Sequence, residues 1–327
     1  MTDTQTIHKT IIAFDVAKQK LDICTDDRLK VPKIVNNTVS AIRKILAAAQ
    51  RKVRQQSLPE LLVIVESTGT YERKVLDLCV ALEIRCHRAH SNNVYHFARA
   101  RGLLAKTDKL DAATIWAYGK TTPNLRLYVP PRPAEEKLHA LMMRRDEIKN
   151  MVTAEGNRLG TVHDKDIKKS LQRIKGHLET ELKRVEKQIT ALVESDEVLS
   201  EKFTLLRSLK GVGSWVACAA LAFMPELGKL GREEAAALAG LAPYNNDSGK
   251  MRGKRRIKAG RKNFRNKLYM GAVSASTHNI ILRPFGERLV AKGKCKMLAL
   301  TAIMRKMVVI MNAILKSGEP WKHAKKA

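Results

Sequence analysis

The sequence predicts an α/β domain built on a mixed sheet, followed by a helical and strongly basic remainder. Two apolar runs of strand length, residues 11–14 and 61–65, each end on a carboxylate and alternate with segments of helical period. A proline-rich break at residues 128–133 ends that alternation. Beyond it, apolar residues recur every three or four positions among Lys, Arg and Glu.

The first run, residues 11–14, ends on Asp15. A small-residue turn follows, and Leu21, Ile23 and Cys24 return in alternation against Asp22, which reads as a buried strand and an antiparallel return. Residues 31–34 are the candidate third strand. Asn37 or Thr38 caps a helix bearing Ile42, Ile45 and Leu46. Residues 61–65 form a continuous apolar run ending on Glu66, the pattern of a central strand covered on both faces. A turn, a helix over about residues 71–82 and a strand over residues 84–89 come next. A helix near residues 92–100 precedes a loop and a helix opening near Asp108.

After the break, Leu171, Ile174, Leu178, Leu182, Val185, Ile189 and Leu192 make a heptad-like stripe. It reads as a coiled-coil arm for self-association or as an amphipathic helix packed on its own domain. Gly211 and Gly213, with Lys210, sit between two helical patterns. Such a turn at a helix N-terminus offers free N–H groups to a phosphate, as in a helix-hairpin-helix, or is a plain glycine turn. Residues 250–265 are densely basic, with Lys250, Arg252, Lys254, Arg255, Arg256, Lys258 and Arg261 as candidate phosphate contacts, or a solvated loop.

The formal charge of the 327-residue chain is +29, from 61 Lys and Arg against 32 Asp and Glu, which points to a polyanionic partner, DNA or RNA. Cys24, Cys79, Cys86, Cys218 and Cys295 form no CxxC pair, so zinc and a disulfide framework are not indicated, and the thiols read as reduced, in a cytoplasmic protein. The apolar stretches at 215–224 and 307–315 are too short to span a bilayer, so no membrane partner is expected.

Four carboxylates are candidates for one site: Asp15 and Glu66 at strand ends, and Asp108 and Asp111 three apart on a helix. Taken singly, Asp15 also suits a turn and Asp108 an N-cap. Converging acids repel, and divalent cations relieve that repulsion. Oxygen-only donors select Mg²⁺ or Mn²⁺. Two such ions about 4 Å apart activate a nucleophile and stabilise a leaving oxygen at a phosphodiester. With the positive charge, this favours a nuclease or strand-transfer enzyme.

DVAK (residues 15–18), ESTGTY (66–71), KTDKLDA (106–112) and GLAPYNNDSGKMRGKRRIKAGR (240–261) together resemble the DEDD transposases of bacterial insertion sequences, related to Piv-type DNA invertases and including bridge-RNA-guided recombinases. The resemblance implies a RuvC-like, ribonuclease H-type catalytic domain over residues 1–162, a coiled-coil arm over 163–203 and a mainly helical transposase domain over 204–327. It implies that Asp15, Glu66, Asp108 and Asp111 are the metal-binding tetrad and that Ser248 is a catalytic serine forming a 5′-phosphoserine link, the site being assembled between two subunits or two domains. The implied partners are donor and target DNA, a guide (bridge) RNA and further copies of the chain, as dimer or tetramer, near the bacterial nucleoid. A junction-resolvase-like nuclease in which Ser248 is merely structural is the alternative. Ser67, His90-Ser91 and Lys210 depart from the family's usual Ala, Asn-Pro and Pro.

Overall fold

The computed structural model describes residues 9–103, 108–245, 247–248, 251–253 and 255–322; the side chains of Asp108, Lys109, Leu110, Asp247, Ser248 and Arg252 lie outside the description. The chain divides into two compact units, Met1–Pro130 and Pro131–Ala327.

The first unit contains strands β1 (Thr10–Val16), β2 (Lys20–Thr25) and β3 (Ile34–Asn36), helix α1 (Val39–Gln55), β4 (Leu61–Glu66), α2 (Arg73–Ala81), β5 (Arg85–Ala89), α3 (Ser91–Ala100) and α4 (Asp108–Thr121). The sheet order is β3-β2-β1-β4-β5. The β1–β2 and β2–β3 pairs are antiparallel, and the β1–β4 and β4–β5 pairs are parallel. Alternate residues separate two cores. Phe14, Leu21, Val63 and Val65 meet Ile42 and Leu46 of α1 and Val75 and Cys79 of α2. Ile11, Ala13, Leu62 and Ile64 meet Val94 of α3 and Ile115 and Tyr118 of α4. Both faces of β1 and β4 are therefore covered, which is why their sequences are continuously apolar. Thr38 is the cap of α1, its hydroxyl accepting from the Ala41 N–H at 3.3 Å. The third strand lies at residues 34–36 rather than 31–34, because Pro32 has no N–H to donate to the ladder.

The second unit is helical: α5 (Pro133–Thr161), α6 (Lys165–Ser195), α7 (Glu197–Arg207), α8 (Ser214–Phe223), α9 (Arg232–Leu238), α10 (Lys262–His278), α11 (Leu282–Ala291) and α12 (Lys296–Ser317). Between α9 and α10 lie four two-residue strands, β6 (Pro243–Tyr244), β7 (Asp247–Ser248), β8 (Met251–Arg252) and β9 (Arg256–Ile257). Helix α8 is central, with Val216 through Phe223 all buried. Helix α12 is long and apolar enough to cross a bilayer, but it is a core helix here: Ile303, Met304, Met307, Val308, Met311 and Ile314 are buried.

Helices α5 and α6 form a hairpin turned at residues 162–164, where Asp164 caps α6 by accepting from the N–H groups of Asp166 and Ile167. The expected boundary at residue 162 falls at the turn of this hairpin. By contact, the compact units divide between Pro130 and Pro131, since Leu138, Met142 and Ile148 of α5 are buried in the second core. The heptad stripe of α6 is buried at Val185 and Ile189 and partly buried at Leu178, Leu182 and Leu192 against that same core. Ile167 and Ile174, nearer the hairpin tip, are exposed. The cysteines are free; Cys79, Cys86 and Cys218 are buried, Cys24 is half-buried and Cys295 is exposed.

Candidate active site

Strands β1 and β4 pair in parallel from Thr10↔Leu61 to Phe14↔Val65. One residue further on each strand stand Asp15 and Glu66. They share the parity of Ala13 and Ile64, and so the α3–α4 face of the sheet. Both are half-buried.

Helix α4 brings the third carboxylate. Its C-terminal end is fixed at the start of β1: Lys120 bonds the Lys9 carbonyl at 3.3 Å and pairs with Asp26 at 2.7 Å, and Asp26 accepts from the Ile11 N–H. Gly119 allows close approach, since a Cβ there would lie 1.9 Å from Ile64 Cδ1 and 3.3 Å from Ile11 Cδ1. From this anchor α4 runs back along β1. Eight residues of helix, from Gly119 to Asp111, rise about 12 Å. Four residues of strand, from Ile11 to Asp15, rise about 13 Å. Asp111 therefore comes level with Asp15, one turn beyond the buried Ile115 and on the same helix face. Asp108 opens α4, a further turn along.

Among the described residues, no three His, Cys, Asp or Glu groups stand close enough to hold a metal ion. The Asp108 side chain lies outside the described residues. The donor chemistry fits a hard divalent cation, since all four groups are carboxylates. Asp22 is a fifth carboxylate at this end of the sheet. It pairs directly across from Asp15 in the β1–β2 ladder, is buried at 5% exposure, and is joined to Lys20 at 3.3 Å. Helix α4 packs on that face of β2.

The loop after Glu66 is held from below. Glu72 accepts from Arg88 at 2.5 Å and 3.0 Å and from the Thr68 hydroxyl at 2.9 Å. Burial pushes the Glu72 carboxyl up, but the backbone N–H, Thr68 and Arg88 outweigh it and hold the group below its ordinary value. The Ser91 hydroxyl donates to the Ser67 carbonyl at 2.7 Å, and the Ser67 N–H donates to Ala89. Ser91, one of the departures from the usual family pattern, thus ties α3 to the backbone of the residue following Glu66.

In the second unit, Ser248 lies on a β arm. Asp247 pairs with Arg252 and Ser248 with Met251; nearer the root, Pro243 pairs with Ile257 and Tyr244 with Arg256. The root is pinched. Gly240 and Gly260 both have positive φ, +71° and +70°, and a Cβ on Gly260 would lie 2.2 Å from the Gly240 nitrogen. Arg265 donates to the Ala259 carbonyl at 2.7 Å and to the Gly240 carbonyl at 3.3 Å.

The expected phosphate contacts divide. Lys250 and Lys254 lie outside the described residues, as does the side chain of Arg252. Arg255, Arg256, Lys258 and Lys210 are exposed. Arg261 is turned inward: its guanidinium donates to both Glu226 oxygens at 2.6 Å and to the Phe223 carbonyl at 2.5 Å. The basic run thus includes, at Arg261, a cation whose partner lies 35 residues away. Gly213 caps α8, while Gly211 is pressed against Ala275 and Gly271 of α10. Asn279 donates to the Lys210 carbonyl.

Two family profiles match the chain. A DEDD transposase profile of the IS110 type covers residues 12–165, and one described as the transposase IS116/IS110/IS902 family covers residues 203–286. The chain is similar to the pilin gene-inverting proteins of Moraxella lacunata and Moraxella bovis, 26% identical to each over 326 residues, 96% of this chain and 98% of the relative.

Proposed function

This chain belongs to the IS110-family DEDD transposases, enzymes of DNA transposition and site-specific recombination, and from that premise we propose that it cuts and rejoins DNA through a phosphoserine at Ser248, with Asp15, Glu66, Asp108 and Asp111 as its metal-binding tetrad. The observation that supports the acidic site is that Asp15 and Glu66 follow the last paired residues of two adjacent parallel strands, on the sheet face that α4, the helix of Asp108 and Asp111, packs against. The sheet order, three antiparallel strands continued by two parallel ones, supports a RuvC-like reading of the first unit.

Divalent metal is the family's cofactor class, and the all-oxygen donor set favours Mg²⁺ or Mn²⁺. Bound there, it would supply Lewis-acid stabilisation to a reacting phosphodiester. The chain's own groups do the rest. The Ser248 oxygen forms a bond to phosphorus, the bond from phosphorus to the 3′ oxygen breaks, and that oxygen leaves with a proton. Lys250, Arg252, Lys254, Arg255, Arg256 and Lys258 supply cations for the phosphate and its developing charge. Lys210 and the turn at Gly211 and Gly213 would contact DNA backbone elsewhere. The α5–α6 hairpin would join copies of the chain as a dimer or tetramer. The remaining basic surface would hold a guide RNA, with the enzyme working at the nucleoid.

The test uses labelled DNA carrying the element's ends, with Mg²⁺, on denaturing gels. Wild type traps a covalent protein–DNA adduct and Ser248→Ala does not. Asp108→Asn loses strand exchange while melting and DNA binding persist. Normal strand exchange by Ser248→Ala, with no adduct in either protein, leaves a metal-dependent structure-specific nuclease. Full Mg²⁺-dependent activity in Asp108→Asn overturns the acidic site. Sequencing co-purified RNA tests the guide.

A further inference from the structure

The outer face of α3 has an unusual composition for a surface helix. Asn92, Tyr95, His96 and Arg99 follow the i, i+3, i+4, i+7 stripe opposite the inward Val94 and Phe97, and all four are exposed, Tyr95 at 54%. A solvated helix face ordinarily mixes Glu with Lys. This face has neither, and the stretch around it, residues 84–107, contains no Asp or Glu but four Arg, one Lys and three His.

The aromatic and the cation are arranged together. Arg99 donates to the Tyr95 hydroxyl at 3.0 Å, and its guanidinium carbon lies 5.7 Å from the ring centroid. One of the five guanidinium donors is used, and the others are left for an anion. His96 meets the Tyr95 ring edge-on at 5.4 Å. The helix is also fixed in place: the Ser91 hydroxyl holds the carbonyl of Ser67, the residue after Glu66.

We propose that this face is a platform for the single DNA strand that reaches the acidic centre, with a base stacked on Tyr95 and its phosphate met by Arg99. The inference rests on the strand-transfer reading for the identity of the strand. Stacking on an aromatic side chain with an adjacent cation is how proteins hold unpaired nucleic acid without reading its sequence. Anchoring beside Glu66 makes the occupant the strand being cut, and so DNA.

The test uses the full chain carrying Tyr95→Trp, which preserves a stacking face and adds a fluorophore to Trp116, Trp215 and Trp321. After subtraction of the wild-type signal, thymidine oligonucleotides should quench the added emission, and duplex of equal length should do so much less. Tyr95→Ala should weaken oligonucleotide binding about tenfold, the lower part of the range for one stacked base, with an unchanged melt. Tyr95→Phe should restore it. No quenching, or quenching by RNA alone, overturns the proposal. The readout is binding without cleavage, so a missing phosphoserine adduct would sink the strand-transfer mechanism and leave this result standing.

Discussion

Asp15 and Asp22 stand directly opposite one another across the β1–β2 ladder, two carboxylates on one face of the sheet, with Asp22 buried and joined to Lys20. Like charges so placed repel. The pair makes sense as part of a field that draws in cations, with Lys20 balancing the deeper acid. Asp22 would then act through Asp15 as a positioning residue. Asp22→Asn keeps the shape and removes the charge. Outer partners of a metal site are typically worth tenfold or more in affinity. The Mg²⁺ concentration for half-maximal strand cleavage should rise about tenfold in Asp22→Asn, with DNA binding unaltered. An unchanged Mg²⁺ dependence would confine Asp22 to its pair with Lys20.

His87 gives the first unit a dependence on pH. It is buried on β5, its Nδ1 lies 2.7 Å from the Arg126 carbonyl, and its Nε2 has no hydrogen-bond partner among the described residues. The neutral ring with the proton on Nδ1 satisfies this arrangement; a second proton would be buried without an acceptor. Burial accordingly pushes the imidazole below its ordinary value, the Arg126 carbonyl opposes that, and Lys9 adds to it. The folded value lies below the unfolded one. The contribution is therefore complete above about pH 6.5 and declines as pH falls from there toward the folded value. Urea midpoints should drop between about pH 7.5 and 5.5, and His87→Phe should flatten that part of the profile. An equal slope in both proteins would assign the dependence elsewhere.

The α5–α6 hairpin shows what could be read in the sequence and what could not. The stripe from Leu171 to Leu192 correctly announced a long amphipathic helix. Its partner could not be read, because a 3.6-residue period says only that a face is covered. Here Val185 and Ile189 face the chain's own core, so Leu178→Glu and Leu182→Glu would damage the fold as well as any assembly. Ile167 and Ile174, 54% and 44% exposed, are the better probes. If the hairpin tip joins subunits, Ile167→Glu with Ile174→Glu should lower the mass seen by light scattering and leave the melt unchanged. An unaltered mass would remove the hairpin tip from the assembly.

The strand-end positions of Asp15 and Glu66 were legible for a related reason. Strands covered on both faces must be apolar throughout, so a carboxylate at the end of such a run stands out, as Asp15 and Glu66 do. Asp22 did not stand out, because alternation in β2 imitates a half-exposed strand. Only the placement of α4, made possible by the close approach at Gly119, reveals that its face is buried.

Arg261 is the clearest case of a residue whose role is set by distant structure. Within a run of cations it looked like one more phosphate contact. Its two bonds to Glu226 and a third to the Phe223 carbonyl fix it at the root of the arm bearing Ser248, where its N–H also donates to the Leu238 carbonyl. A bidentate Arg–carboxylate pair is stronger than a single ion pair. Both partners here keep some solvent contact, 33% and 20%, so its loss should cost about 1–2 kcal/mol rather than the full penalty of a buried pair. Arg255, exposed on the same arm, should behave oppositely. Arg255→Ala should reduce the salt dependence of DNA binding by about one phosphate contact and leave stability alone. Arg261→Ala should leave the salt dependence alone, lower the urea midpoint and reduce the yield of the Ser248 adduct. Glu226→Ala should do the same, and the double variant should lose less than the sum, because both changes break one interaction. A reduced salt slope in Arg261→Ala, or strict additivity with Glu226→Ala, would return Arg261 to the DNA-contacting surface.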